Sequence, residues 1–458
     1  MNAQITTVEH TQHSLMDYFR LPEDWAGAIV ANENHGEAGF FRFGEDAICY
    51  GPCSPGHAAE KATDVLHDLL DEVSFQDGSV RLPFDPAQVF ENLRFERYME
   101  APNNSVGGWM ESPLVKELYY LIRPALPVNV RIHLQRMRLG DWPRIQFPAW
   151  PVDSTVDILH SRLLGLLLRA RSEDRVPFIW FWPEGARGAF IMTHDVETSA
   201  GRDFCSRLMD IDEEYGVKSS FQVVPEERYE VPASYLAEIR ERGFELNVHD
   251  LNHDGRLYRE REEFLRRVQK INHYAREFGS VGFRAGAMHH NLSSYDALDF
   301  IYDMSVPNIG HLEAQRGGCC TVLPYSVGKI LELPLTTTQD YSLFHILHDY
   351  SLSLWKRQVA LILEKHGLIS FIVHPDYVIE PRPQSVYREL LAYLSETLPR
   401  ERIWSALPRD VARWWLQRSQ MRLVQRAGSW QIEGEGSERA RLAYAVLRDG
   451  RLCYERPA

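Results

Sequence analysis

Between about residues 185 and 410, short apolar runs alternate with longer stretches in which apolar positions recur at helical spacing. The runs at 189–193, 219–224, 244–248, 281–284, 330–335 and 368–373 read as strands. The segments at 204–215, 234–242, 260–278, 293–302 and 352–366 read as helices. Strand–helix alternation repeated in this way predicts parallel strands joined by helical crossovers, an α/β fold. Ahead of it the texture differs. Apolar runs at 28–30, 39–43 and 47–50, broken by Asn and Gly turns, predict short strands, and helical spacing recurs over 60–70, 114–122 and 155–171. Pro124, Pro127, Pro143, Pro148 and Pro151 break the chain between the last two. The tail has strand-like runs at 421–424, 430–432, 441–447 and 452–454, the last two flanking Asp449-Gly450, a two-residue hairpin turn. The expected organisation is an N-terminal α+β domain or extension over 1–182, an α/β unit over 183–415 and a small β appendage over 419–458.

Composition narrows the function classes. A chain of 458 residues, 44% hydrophobic and 25% charged, has ample material for a buried core and more than one domain. Lys plus Arg number 50 against 64 Asp plus Glu, a net charge of −14 that repels phosphate backbones and speaks against nucleic-acid binding. The N-terminus carries neither a basic nor an apolar leader region, and the apolar stretch 163–168 is far too short to span a bilayer, so the expected location is the cytoplasm with no transmembrane segment. Cys49, Cys53, Cys205, Cys319, Cys320 and Cys453 form no disulfide framework and fit reduced thiols. There is no P-loop and no nucleophile-elbow serine.

Two stretches carry the chemistry. Thr193-His194-Asp195-Val196-Glu197 ends the first α/β strand run, and strand alternation points Asp195 and Glu197 to one side and His194 and Val196 to the other. His249 and His253, four apart, fall on one side of a helical turn or tight loop, a spacing from which two imidazoles hold one cation. One carboxylate and two imidazoles leave coordination positions open, which marks a catalytic rather than a structural metal. Arg284 and His374 likewise end apolar runs, so the candidates lie where a (β/α) barrel places its active site.

These residues resemble the polysaccharide deacetylases of carbohydrate esterase family four, the NodB-homology family, over about residues 185–410. The resemblance implies a distorted (β/α) barrel of the polysaccharide deacetylase type. It also implies roles: Asp195 as catalytic base, Glu197, His249 and His253 as metal ligands, Arg284 in Gly282-Phe283-Arg284-Ala285-Gly286-Ala287 as the group that steadies the base, and His374 at the end of Leu368-Ile369-Ser370-Phe371-Ile372-Val373-His374 as general acid. Two motifs depart from the family pattern. Val196 stands where a second aspartate is usual, moving the acidic ligand to Glu197, and the Pro-Tyr that normally follows the Arg motif is absent. The segment 333–340, ending in Asp340, matches the fourth motif loosely.

The implied reaction is metal-dependent hydrolysis of an acetyl group, N-acetyl first, from a sugar in exopolysaccharide or surface-glycan biosynthesis. The cofactor is a divalent cation, zinc foremost with cobalt or nickel as alternatives, and the substrate an acetylated sugar, lipid- or nucleotide-linked. His289, Asp340 and Asp376 are expected to line the substrate site. Two other readings stay open: a hydrolase of non-peptide C–N amide bonds, and a non-catalytic carbohydrate-binding protein on a deacetylase scaffold. Each residue taken alone has a plainer use, Asp195 as a helix cap, Arg284 in a surface ion pair, His374 as a strand end, and the other histidines near the pocket, His290, His311, His345 and His348, as packing.

Overall fold

The computed structural model describes residues 15–25, 29–32, 36–100 and 128–455. Its organising element is a curled, mostly parallel sheet. Gly188–Val196, with all nine residues buried, lies inside it. Leu368–Ile372 runs along one side of this strand; on the other side Ile403–Ser405 pairs with its first half and Ser220–Val223 with its second. Glu245–His249, Gly282–Arg284, Tyr302–Asp303 and Ile330–Glu332 continue the sheet in parallel, and antiparallel Tyr325–Val327 ends it. Strands covered on both faces need little polar alternation, which is why they read as apolar runs. Because they are parallel, their C-terminal ends open on one rim.

Where the curl brings the two ends of the sheet together, side chains replace the backbone ladder. Thr336 and Thr337 donate to the carbonyls of Leu368 (2.7 Å) and Ser370 (2.8 Å), and the Ser370 amide donates back to Thr336 Oγ1 (3.0 Å). Helices Ser199–Glu214, Ala233–Glu241, Arg261–Phe278, Ser353–Glu364 and Pro381–Arg400 cover the outside. Thr198 caps the first of these, and Gly279, at φ +59°, closes the third in the left-handed conformation.

The chain ahead of the sheet is fastened to it by buried polar contacts. Asp157, on helix Thr155–Arg171, accepts from the Thr321 hydroxyl (2.9 Å), the Val322 amide (3.0 Å) and the Tyr18 hydroxyl (3.2 Å). The tail hairpin Leu442–Arg448/Arg451–Glu455 pairs through its first strand with Arg175–Ile179, forming a three-stranded sheet. Its turn residues Asp449 and Gly450 both have positive φ, as a two-residue turn of this kind requires. A buried cation ties these parts together. Arg418, on helix Pro408–Gln420, donates to the carbonyls of Trp180 (3.0 Å), Ile179 (2.7 Å) and Tyr18 (2.9 Å) while its guanidinium lies between the rings of Phe181 and Trp415.

Most strands expected from apolar runs form within a residue or two of the expected bounds, but two expected helices do not. The 60–70 segment is turns and the short helix Leu69–Glu72, with Val65 94% exposed. It gives the His67 carbonyl to Arg42 of strand Ala38–Arg42, and Ala59 just ahead of it exchanges both hydrogen bonds with Phe40 of the same strand. The 293–302 segment is a 3-10 helix, Leu292–Ala297, followed by strand Tyr302–Asp303, because the sheet needs a strand between Gly282–Arg284 and Ile330–Glu332. Helices Pro86–Arg94, Pro381–Arg400 and Pro408–Gln420 were not expected; each begins at a proline, which reads as a break but serves as a first helical residue. The 114–122 segment lies outside the described residues.

Replacing Arg418 with Leu leaves three carbonyls of two segments without this donor, and a buried group left unsatisfied costs about 1–3 kcal/mol. We expect Arg418→Leu to lower the denaturation midpoint by an amount equivalent to about 2–3 kcal/mol, measured by urea unfolding. A loss well under 1 kcal/mol would show that these carbonyls are satisfied without the arginine.

Candidate active site

At the rim where the parallel strands end, Asp195, Glu197, His249, His253, Arg284 and His374 come together. Alternation along Gly188–Val196 turns Thr193 and Asp195 into the barrel and His194 outward, where it is fully buried between the Val373 carbonyl (2.7 Å) and Asp212 (3.0 Å). On the neighbouring rim Arg284, with no exposed surface, aims Nη1 at Asp195 Oδ1 (2.6 Å) and the Thr193 hydroxyl (2.8 Å), and Nε at the Met304 carbonyl (3.0 Å). Burial alone would raise the Asp195 carboxyl; the Arg284 charge, with smaller help from His249 and His374, outweighs it and holds the group below the ordinary range.

The two imidazoles of the second motif reach the same space by different routes. His249 ends strand Glu245–His249, and its Nδ1 lies 3.1 Å from the Arg284 carbonyl. A carbonyl only accepts, so Nδ1 carries the proton and Nε2 presents its lone pair. Burial depresses this ring to about 4, against the pull of Asp195, so it is neutral at pH 7. His253 sits not on a helical turn but in a tight loop, with both Asp250 and His253 at positive φ. The loop is held by Asp250 N donating to the Arg284 carbonyl (2.8 Å), and it packs against Gly286, where a Cβ would lie 2.6 Å from Asp250 Oδ2 and 2.9 Å from the His253 ring. Residues that occupy the left-handed region without being glycine cost about 1 kcal/mol or more each and collect at functional sites.

Glu197 follows the last strand residue. Its amide donates to Asp376 Oδ2 (3.2 Å), Thr198 beside it also donates to Asp376, and its carboxylate lies 3.0 Å from His253 Nε2 and 3.7 Å from His374 Nε2. One donor atom from each of Glu197, His249 and His253 falls within 4.8 Å of the others. His249 Nε2 and His253 Nδ1 are buried without a hydrogen-bond partner, His253 Nε2 faces the Glu197 carboxylate, and two imidazoles with one carboxylate are the donor set of a catalytic zinc site. These residues therefore fit a divalent cation.

His374 closes the opposite side. Asp340 takes hydrogen bonds from both its Nδ1 (2.7 Å) and its backbone amide (2.8 Å). Burial pushes the imidazole down, but the Asp340 carboxylate, then Glu197 and Asp195, lift it to about 10, so it is protonated at neutral pH. Asp340 was expected to line the substrate site; it is fully buried behind His374, where it fixes the ring and its charge. Asp376 was expected there too, and instead accepts from the Glu197 amide and the Thr198 hydroxyl. His289 lies apart from the six, on the wall of a neighbouring cleft. His290 pairs with Glu96 (2.7 Å), and His311 is buried beside Trp150. The aromatic neighbours of His374, with Tyr377 4.9 Å away and Tyr341 packed on Tyr377 at 5.4 Å, were not foreseen, since their positions in the chain carry no periodic signal.

No protein-family model matches the chain, and no curated protein matches it. Among solved structures, a protein from Mycobacterium smegmatis described as a polysaccharide deacetylase aligns at 18% identity over 51% of this chain and 92% of its own, with a TM-score of 0.40. The Puue allantoinase aligns at 12% identity over the same shares, also at 0.40. A protein from Bordetella bronchiseptica, described as a polysaccharide deacetylase involved in O-antigen biosynthesis, aligns at 21% identity over 51% and 92%, at 0.31.

Proposed function

We propose that this chain is a metal-dependent hydrolase that removes an N-acetyl group from a sugar destined for an exopolysaccharide or other surface glycan. The observation that carries the reading is a division of charge across one small space. On one side a buried carboxylate, Asp195, is held ionised by Arg284; on the other a buried imidazole, His374, is held protonated by Asp340; Glu197, His249 and His253 lie between them. Amide hydrolysis needs both states at once, a base for the attacking water and an acid for the departing amine.

Glu197, His249 and His253 would hold a divalent cation, which would supply Lewis acidity for the acetyl carbonyl and lower the pKa of water toward about 7. Asp195 removes the proton from the attacking water, and Arg284 keeps its Oδ1 oriented while leaving Oδ2 toward His249. His374 donates its Nε2 proton to the amine nitrogen as the C–N bond breaks, and Asp340 holds the ring with Nε2 facing the site. A protein that only bound carbohydrate would have no use for an acid and a base poised in opposite states.

The primary test pairs elemental analysis with acetate release. Asp195→Asn is expected to keep about one metal ion per chain while acetate release from acetylated sugars falls about a thousandfold. His253→Ala is expected to lose the metal. A wild-type protein that takes up no zinc, cobalt or nickel would remove the catalytic reading. A protein that binds metal and sugar without releasing acetate would leave the carbohydrate-binding reading in its place.

An amine is a poor leaving group unless protonated, whereas an alkoxide departs more readily. His374→Ala should therefore impair cleavage of N-acetyl substrates more than of O-acetyl substrates, compared as kcat/KM; equal losses on both would argue against its role as acid. Asp340→Asn removes the charge that lifts His374 to about 10, letting the ring fall toward or below its ordinary 6.5. An acid must be protonated to act, so the alkaline limb of the kcat/KM profile should move to lower pH, with activity above pH 8 lost first. An unchanged alkaline limb would exclude His374 as the titrating acid.

A further inference from the structure

Beside His374, the proposed acid, stands a group of aromatic rings that the proposed reaction does not use. The His374 ring packs on Tyr377 with centroids 4.9 Å apart. Tyr377 packs in turn on Tyr341 at 5.4 Å and on His345 at 5.0 Å, and those two meet at 5.3 Å. All three rings are half-buried, so each keeps part of its surface open. The wall they form is fixed by the same groups that fix the acid. Tyr377 ends the short helix Pro375–Tyr377 and gives its amide to the His374 carbonyl (3.1 Å). Tyr341 follows Asp340 and gives its amide to the Asp340 carboxylate (2.8 Å). From the other side, helix Val128–Leu139 accepts the Tyr341 hydroxyl at Gln135 and sends Arg136 to the His345 carbonyl (2.6 Å).

One polar atom of this wall has no task. The Tyr377 hydroxyl makes no hydrogen bond among the described residues and is open to solvent. Burial, and after it the Glu197 carboxylate ahead of every other charge, hold the phenol well above its ordinary range, so it stays a donor. Glu197 Oε1 also lies 3.7 Å from His374 Nε2. The open hydroxyl and the nitrogen of the acid thus face one carboxylate, on the side from which the amine would depart. Burial holds His345 below its ordinary range, so the wall carries no charge at pH 7. Uncharged aromatic faces with a donor at the edge suit the apolar C–H face and the hydroxyls of a sugar ring. An amine that takes the His374 proton brings its nitrogen to about 3 Å from Nε2, and the carbons bonded beyond that nitrogen then reach the wall. A small amide has nothing to place there.

We propose that Tyr377 selects the leaving group: its ring packs against the pyranose that carries the acetamido group, and its hydroxyl donates to the oxygen substituent beside that group. The site then takes acetamido sugars and passes over small linear or cyclic amides. The acetyl step in this assignment rests on the deacetylase reading; the sugar contact rests on the wall.

The test measures binding and turnover separately. Binding of N-acetylglucosamine, N-acetylgalactosamine and N-acetylmannosamine trisaccharides is measured by calorimetry on zinc-loaded full-length protein carrying Asp195→Asn. Turnover of the same sugars is measured without that change and compared with N-ethyltrifluoroacetamide, an activated amide that has no sugar. Each is repeated with Tyr377→Phe, which removes only the hydroxyl, and Tyr377→Leu, which removes the ring, with thermal midpoint and metal content as controls on folding. Sugar affinity is expected to fall about fivefold in the Phe variant and about fiftyfold in the Leu variant. The loss in sugar turnover should appear in KM, with kcat and cleavage of the small amide within about twofold of the unaltered enzyme. If sugars bind in a Tyr377-dependent way and none releases acetate, the Tyr377 assignment stands and the deacetylase reading falls. If acetate is released but the folded Phe and Leu variants bind sugar as the unaltered protein does, or the small amide loses as much as the sugars, the assignment is overturned and the deacetylase reading stands. If none of the sugars binds, the assignment is overturned as well.

Discussion

The rim of the barrel is arranged around one buried guanidinium. Arg284 has no exposed surface, and a charge so placed is tolerable only when it is paired and hydrogen-bonded. Its side chain donates to Asp195, Thr193 and Met304, while its own carbonyl accepts from the Asp250 amide and from His249 Nδ1. One residue thus fixes the ionisation of the proposed base, the tautomer of one proposed ligand and the entrance to the loop that carries the other. The positive φ values at Asp250 and His253 are held in place by that hydrogen bond and by the close approach of Gly286. The strain is local, and its support is distributed over three strand ends.

The contrast between His249 and His374 shows how little separates opposite outcomes. Both rings are buried, and both present Nδ1 to an oxygen acceptor. For His249 that acceptor is a neutral carbonyl, so burial prevails and the ring falls to about 4. For His374 it is a buried carboxylate that also binds the backbone amide, so the ion pair prevails and the ring rises to about 10. A neutral imidazole suits a metal ligand and a protonated one suits an acid. Asp340, itself fully buried, is what makes the difference.

The chain ahead of the barrel does more than precede it. Glu96 pairs with His290, the Tyr98 hydroxyl donates to the Gly318 carbonyl (2.7 Å), Arg138 donates to the Ala314 carbonyl (2.7 Å) and Arg136 to the His345 carbonyl (2.6 Å). Each contact falls on a segment that follows a strand of the sheet. The walls beside the reaction centre are therefore shared between the two halves of the chain.

The sequence by itself determined the parallel strands and the identity of the six residues that converge at their ends. A buried parallel strand must be an apolar run, and a residue ending such a run is carried to the rim whatever lies beyond it; Asp195, His249, Arg284 and His374 were legible for that reason. The helices that begin at Pro86, Pro381 and Pro408 were hidden because proline signals a break and a first turn alike, and the 60–70 segment misled because its apolar spacing was outweighed by pairing with a strand some twenty residues earlier. Only the tertiary structure decided what each charged group faces. Asp340 and Asp376 stand near the right motifs in the chain, yet one turns behind His374 and the other toward the Glu197 backbone. Periodicity records which side of an element is buried, whereas the partner of a buried charge is set by contacts between elements, and those are written in no local pattern.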